Sequence, residues 1–417
     1  VLPLLLSLLS PPAHAGSFVL GTTSEFDLGQ GGNWARIFPS SEGWQITFAF
    51  DGDYHVADLT GTDGTWTLSH DSIVAITDDG GLVDHAIERC PDGGFLHVAS
   101  ANLDSPNDSA YADRLGQDFG IQASATVEER VPSNAHNDMA VVCSDLLQGV
   151  TFQDFGSQQV LFYPLGDDAR PGTPQPIAGE LVMTGGALLP DPDNDRVIIS
   201  AGTAGATQGI QVGELSSSLR LSGMHQLDVT TGSLRPYWPQ DLLAVGDYFL
   251  LAFMVRDDSQ GSDTGNVHLA VLDQDLQLVE STAISHIDLA TTEGGHRPGL
   301  ARSGDTLLVS WDRQNTVRLF EVQLDIEAMG IDPGTEDSGW PGGSDAGFAE
   351  DSGSGGGSGD AGDAGDGGSG DGGGCGCASG GRASAGLLAG LLGVVGVARR
   401  RSGRGPRGRE GLPGTTG

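Results

Sequence analysis

The sequence predicts an all-β fold, a six-bladed β-propeller, on three observations. A turn-then-strand signal recurs about every 50 residues, the last repeat is one strand short, and a spare strand stands before the first repeat. The signal is clearest at Gly246-Asp247, a tight acidic turn running into the apolar strand Tyr248–Phe253. It stands again at Ser41-Glu42-Gly43 before Trp44–Phe48, and at Asp92-Gly93-Gly94 before Phe95–Val98. It recurs at Ser144-Asp145 before Leu146-Leu147, Asn194-Asp195 before Arg196–Ile199, and Gly304-Asp305 before Thr306–Val309. The strand starts at 44, 95, 146, 196, 248 and 306 lie 51, 51, 50, 52 and 58 residues apart. A seven-bladed ring, at about 45 residues per blade, is the alternative. Two β-sandwiches fit the length but not the register of the turns.

Taken in order, residues 1–15 read as a secretory signal peptide. A Leu-rich apolar run leads to Pro11-Pro12 and then Ala13-His14-Ala15, an A-x-A site that places cleavage after Ala15. Residues 17–331 form the body. Ser17–Phe26 has strand character and precedes the first repeat. The fifth repeat divides into four strands: Asp241–Val245, Tyr248–Val255, Val267–Leu272 and Leu278–Ile284. The sixth offers three: Leu300–Arg302, Thr306–Trp311 and Thr316–Gln323. The spare N-terminal strand is expected to complete it, closing the ring and removing the sheet edges that would otherwise pair with other chains.

Composition narrows the chemistry. The formal net charge is −36. All 20 basic residues are Arg, so Schiff-base and P-loop chemistry, which need a Lys amine, are excluded. Residues 17–331 carry 13 Arg against 45 Asp and Glu, a surface that repels nucleic acid and tolerates divalent cations. Residues 332–373 hold ten acidic residues and no Arg among Gly, Ser, Asp and Ala, and read as a disordered acidic stalk. No G-x-S-x-G, H-E-x-x-H or C-x-x-C motif is present.

The segment 374–401 reads as a sorting tail. Gly374-Cys375-Gly376-Cys377 precedes a short apolar run, Gly386–Ala398, and then Arg399-Arg400-Arg401. The run is brief for a self-sufficient membrane span of about 20 residues, and the Arg cluster would stay cytoplasmic. These residues resemble the MYXO-CTERM sorting domain of myxobacterial surface proteins, over about the last tenth of the chain. The resemblance implies cleavage near the Cys motif by a sorting protease at the membrane, lipid attachment at Cys375 or Cys377, and display on the cell surface. A plain C-terminal transmembrane helix is the alternative. Unlike most such tails, this one continues past the Arg triplet, through a disordered segment at 402–417.

Ten residues before each aligned strand start stand Trp34, His85, His136, Gly186, Trp238 and His296. This position is expected just ahead of the innermost strand of each blade, so the side chains would ring one mouth of the central channel. Asp84, Asn137, Asp138, Tyr237 and Arg297 add polarity beside them. Three imidazoles, His85, His136 and His296, can hold a divalent metal with open positions. Trp34 and Trp238 can stack on sugar rings, with Arg297 beside them. The same residues can also serve only to plug the channel. Asp191-Pro192-Asp193-Asn194-Asp195 begins like a calcium loop but has Arg196 where Gly is needed and Gly202 where Glu is needed, so a blade turn is the better reading. Cys90 and Cys143, at similar places in consecutive repeats, are candidates for a disulfide joining blades two and three.

The reading is a surface-anchored propeller binding an extracellular ligand, a carbohydrate or envelope component, at the channel mouth. Its partners would be extracellular polysaccharide or a surface protein. The alternative is an exported metal-dependent lyase or hydrolase on polysaccharide, with Asp84 or Asp138 as base.

Overall fold

In a computed structural model, the described residues lie within 17–331. Short segments at 41–42, 52, 63–64, 75–81, 105–106, 133–138, 155–158, 178–185, 204–208, 230–234, 257–264, 287–294 and 314–315 are not described, nor are 1–16 and 332–417. The signal peptide with Ala15, the stalk, and the sorting tail with Cys375 and Cys377 therefore fall outside the described residues.

The body is a six-bladed β-propeller of four-stranded antiparallel sheets. The chain begins with β1 (Val19–Gly31). Blade 1 is β2 (Asn33–Ser40), β3 (Gly43–Phe50), β4 (Asp53–Thr62) and β5 (Thr65–Val74). Blade 2 is β6 (Leu82–Arg89), β7 (Phe95–Asp104), β8 (Asn107–Leu115) and β9 (Ile121–Pro132). Blade 3 is β10 (Ala140–Cys143), β11 (Gln148–Asp154), β12 (Gln159–Pro164) and the two-residue β13 (Gln175–Pro176). Blade 4 is β14 (Gly186–Asp191), β15 (Arg196–Thr203), β16 (Gly209–Leu215) and β17 (Leu221–Gln226). Blade 5 is β18 (Arg235–Val245), β19 (Tyr248–Arg256), β20 (Asn266–Leu272) and β21 (Leu278–Ala283). Blade 6 is β22 (Gly295–Ser303), β23 (Thr306–Arg313) and β24 (Thr316–Leu324), completed on its outside by β1. The recurring signal thus marks the second strand of each blade, and the N-terminal strand fills the vacancy in the last, as the sequence predicts.

Packing explains why those second strands are apolar without alternation. A blade is covered on both faces by its neighbours, so a central strand buries both sets of side chains. Phe249, Leu251 and Phe253 join a cluster with blade 4, while Leu250 and Ala252 join one with blade 6. The described residues form six such clusters, one at each blade interface. Each fully buried Leu, Ile or Phe contributes about 1.5–3 kcal/mol. Just ahead of β1, Phe18 is buried against Tyr248 of blade 5, ring centroids 4.7 Å apart, and its backbone N–H donates to Glu280 at 2.7 Å.

The turns carry the ring's second repeat. In blades 2 to 5 the hairpin between third and fourth strands puts Phe119, Ala169, Leu219 and Leu276 at φ near +60°. All four are buried. A left-handed backbone costs a non-Gly residue about 1–2 kcal/mol. For the larger side chains, burial at about 1.5–3 kcal/mol offsets that cost. Gly246 answers a different need: it has φ +57°, and a Cβ there would sit 2.2 Å from the Met329 carbonyl oxygen. That close approach lets Asp247 N–H donate to Met329 O at 3.1 Å, docking the last residues of the body under blade 5.

Cys90 and Cys143 form a disulfide with Cα atoms 4.9 Å apart. It ties the end of β6 to the end of β10, joining blades 2 and 3. The acidic segment at 191–195 is a blade turn: Asn194 Nδ2 donates to Asp191 at 3.0 Å and Arg196 Nε donates to it at 2.7 Å. Its Asp191 carboxylate is thus occupied by the chain itself.

Candidate functional site

The six innermost strands, β2, β6, β10, β14, β18 and β22, touch one another in a closed circle around the axis. Four of them are irregular near the end where they begin. Register shifts fall between Asn33 and Arg36, Leu82 and Asp84, Tyr237 and Asp241, and His296 and Gly299. A bulge inserts a residue, bends the strand and re-aims side chains, and bulges concentrate beside sites. The sequence column of Trp34, His85, Trp238 and His296 lies in or next to these four bulges. The strands start earlier than the sequence suggests, so these residues belong to the inner strands themselves rather than preceding them.

Three of the expected site residues meet there. The Arg297 guanidinium lies over the Trp34 ring, 4.7 Å from its centroid. The His85 ring packs edge-on to Trp34 at 5.3 Å. Blades 6, 1 and 2 thus each supply one member. Both Trp34 and Arg297 are left-handed, at φ +58° and +56°. Bulky residues with positive φ are outliers, and such strain persists where the surroundings over-determine it, often at functional sites. Trp34 and Arg297 are partly exposed, whereas His85 is buried. Trp238 and His296 have their backbones in β18 and β22, but their side chains, like those of Asp84 and Tyr237, are not described. His136, Asn137 and Asp138 lie outside the described residues.

Behind His85 stands a polar cluster that the sequence reading missed. Tyr54 is buried against His85 at 4.7 Å and stacks on His97 at 4.6 Å. His97 Nδ1 lies 3.4 Å from Asp113, and Ser124 donates to Asp113 at 2.6 Å. Burial holds the His85 imidazole well below the ordinary histidine range, with His97, Arg297 and Arg36 adding to the effect. His85 is therefore neutral at neutral pH. Burial likewise pushes the Tyr54 hydroxyl up. Among the described residues no group of three His, Cys, Asp or Glu is placed to hold a metal.

The channel below the mouth has an empty volume of about 630 Å³, open solvent at its ends included. Its walls are Ile37, Ile87, Leu188, Leu189 and Leu242, with four charged side chains among them: Arg36, Glu88, Asp241 and Arg302. Asp241 is anchored, accepting from Leu300 N–H at 2.6 Å and Leu242 N–H at 3.0 Å. Enclosure pushes its carboxyl up, while Arg36 and those two donors pull the other way. Glu88 is pushed up to about 8, first by burial and then by the Asp241 charge, with Arg36 opposing. Glu88 is partly accessible through the channel, but protein surrounds it closely enough for the desolvation to govern. It therefore keeps its proton at neutral pH. Glu88 and Asp241 had a signal in the sequence: both stand seven residues before the aligned strand starts, in a column otherwise holding Ile37, Met139, Leu189 and Gly299.

Arg36 reaches across the seam into blade 6, where Nη1 donates to Pro298 O at 2.9 Å. Gly299 makes room, since a Cβ there would lie 3.0 Å from that nitrogen and 2.8 Å from Ser310 Oγ. Ser310 Oγ in turn donates to Ala35 O at 2.8 Å, so the mouth is built on the junction that closes the ring.

No protein-family model and no curated protein matches the chain. Solved structures do. A protein of unknown function from Dyadobacter fermentans aligns over 73% of this chain and 98% of its own, at 12% identity and a TM-score of 0.53. A Trichoderma reesei protein of carbohydrate-active enzyme family AA12 aligns over 72% and 95%, at 14% identity and 0.46. A thermostable family-43 glycoside hydrolase aligns over 73% and 92%, at 9% identity and 0.39. At these identities the first likeness shows the fold alone, and the two lower scores carry no argument about function.

Proposed function

We propose that this chain is an exported, surface-anchored propeller that binds an extracellular carbohydrate at the mouth of its channel. One observation carries the reading: Trp34 and Arg297, each in a strained left-handed conformation at a bulge, are stacked together on adjacent inner strands, shortly before Arg36 and Leu300, where those strands begin to line the channel. An indole offers an apolar face to a sugar ring, and a guanidinium offers fixed donors to its polar edge. Export rests on the 1–15 segment, and anchoring on the Cys375/Cys377 tail with its apolar run and Arg cluster.

A glycan array probed with the purified full chain and with Trp34→Ala tests binding. The reading requires a discrete set of glycans whose signal the variant loses, and a flat response from both proteins overturns it. Protease shaving of intact cells tests display, with a Cys375→Ala, Cys377→Ala double variant expected to leave the surface. The metal-dependent alternative rests on His85, His136 and His296 together. Metal copurifying with the wild type and lost on His85→Ala would favour it.

A further inference from the structure

We infer that the mouth takes a polysaccharide along its length, with one sugar on Trp34 and further units running outward over a shelf on blade 1 formed by Phe50, His55 and Ile73. The inference rests on the binding reading above and specifies the form of its ligand, a polymer rather than a single sugar. It begins from where apolar surface is exposed. Among the described residues five large hydrophobic side chains stand in solvent: Leu20, Phe50, Ile73, Ile121 and Val279. Leu20, Ile121 and Val279 lie at or beside the strand pairs Val19–Leu324, Leu115–Ile121 and Leu272–Leu278, at the end of the blades away from the mouth. Phe50, 43% exposed, and Ile73, 61% exposed, are the two at the mouth end, and both belong to the blade that carries Trp34.

The strand register sets these side chains in a row. Asn33, next to Trp34, pairs with Ala49, next to Phe50; Phe48 pairs with His55, and His55 with Ile73. Each strand of blade 1 thus adds one member at its mouth end, from β2 at the channel to β5 at the rim. Strands lie about 4.8 Å apart, so the row extends about 15 Å outward, longer than one sugar ring. Its neighbours hold the row in place. The Phe50 ring lies against Gly31, where a Cβ would stand 2.5 Å from Phe50 Cε2. His55 packs edge-on to Phe50 at 6.0 Å and stacks on Phe48 at 5.3 Å. His55 Nδ1 lies 3.0 Å from Asp71, whose side chain is exposed at the edge of the shelf. Asp71, with the exposed Asp51 and Asp53 at the hairpin between β3 and β4, offers carboxylate acceptors to sugar hydroxyls, while the shelf takes the apolar face of the ring. An apolar patch rimmed by polar groups marks a binding surface. Two exposed side chains fall well short of the roughly 800 Å² per partner that a stable protein interface buries, whereas a sugar needs only the face of one aromatic ring.

Calorimetric titration of the full chain uses ladders of two to six units of cello-, manno- and galacturono-oligosaccharides. The expected result is an affinity that rises at least about tenfold from dimer to hexamer in the ladder bound best. Phe50→Ala should then bring the hexamer down to the level of the dimer, with the melting temperature as the check on folding. Because the rise with length is read on the wild type, the test survives a variant that does not fold. Equal affinity for dimer and hexamer overturns the inference while leaving carbohydrate binding intact, and so does a folded Phe50→Ala protein that keeps the rise. Sedimentation of the ligand-free chain covers the other occupant: a dimer that Phe50→Ala dissociates means that a second copy sits on the shelf, and overturns the inference. No binding of any ladder while the glycan array responds overturns it too, and with a flat array both readings fall.

Discussion

The inner ring has two unlike halves. On the side of blades 3 and 4, among the described residues, β10 pairs with β11 and β14 with β15 in unbroken register, and every residue of β10 and β14 is buried. On the side of blades 5, 6, 1 and 2, all four inner strands are bulged, two carry left-handed bulky residues, and the charged side chains of the channel are theirs. Both halves do the same mechanical job, forming the wall of one ring. Only the second accepts irregular pairing, enclosed charge and strain, all of which cost stability. Regular strands suffice for a wall, so the irregular half marks where the molecule meets something else.

The border between the halves gives the largest expected effect. The Cys90–Cys143 disulfide joins them across a separation of 53 residues. Replacing both cysteines by Ser should cost about 4 kcal/mol by loop entropy, read as the loss of denaturant midpoint. Next comes the plain half. Ile199→Ala should cost about 2–5 kcal/mol, because the residue is buried in the cluster between blades 3 and 4, yet leave glycan affinity unchanged. Loss of affinity in a folded Ile199→Ala protein would break the division between wall and site.

Position 34 should behave in the opposite way. Trp34→Gly and Trp34→Ala should both abolish binding, but the Gly variant should be the more stable by about 1 kcal/mol, since only Gly relieves the left-handed backbone. Ala above Gly in melting temperature would mean that the strain is absent.

The last effect is one of slope. Glu88 titrates near 8 in the folded chain against an ordinary value of 4.5, so the folded state holds the extra proton. Stability from this source is complete below about pH 4.5 and is lost as pH rises through 8. Burial sets most of the effect, with Asp241 adding to it and Arg36 opposing; Arg302 lines the same space. Glu88→Gln should flatten the alkaline limb and gain on the wild type between pH 5 and 9. His85, lowered by burial, and His268, lowered to about 4 mainly by burial, act in the reverse direction: their contribution is present above 6.5 and lost as pH falls. Their acid limb should survive in Glu88→Gln. An unchanged alkaline limb would mean that Glu88 is ionised in the folded protein.

Much of the regular architecture was legible because it is written in local pattern. Turn residues before continuous apolar runs such as Tyr248–Phe253 reveal strands buried on both faces, and their spacing reveals the blades. The missing strand of blade 6 and the spare one at Ser17–Phe26 reveal the closure. The column of Trp34 and His85 was visible for the same reason, as was the neighbouring Arg297. The bulges were not, because a bulge is a mismatch between two strands and has no signature in either alone. The Tyr54–His97–Asp113 cluster was hidden because its members come from three strands whose side chains meet only after two blades pack. Glu88 and Asp241 stood in a column of their own, but only the ring shows that they face one cavity.

The most direct measurement is hydroxyl-radical footprinting of the tryptophans in the full chain, with and without a saturating concentration of a glycan that binds on the array. Trp44 and Trp66, which pack between blades 6 and 1, serve as internal controls. Oxidation of Trp34 should fall sharply on binding while Trp44 and Trp66 keep their rates. Bound sugar that leaves the oxidation of Trp34 unchanged would place the ligand elsewhere and contradict the account.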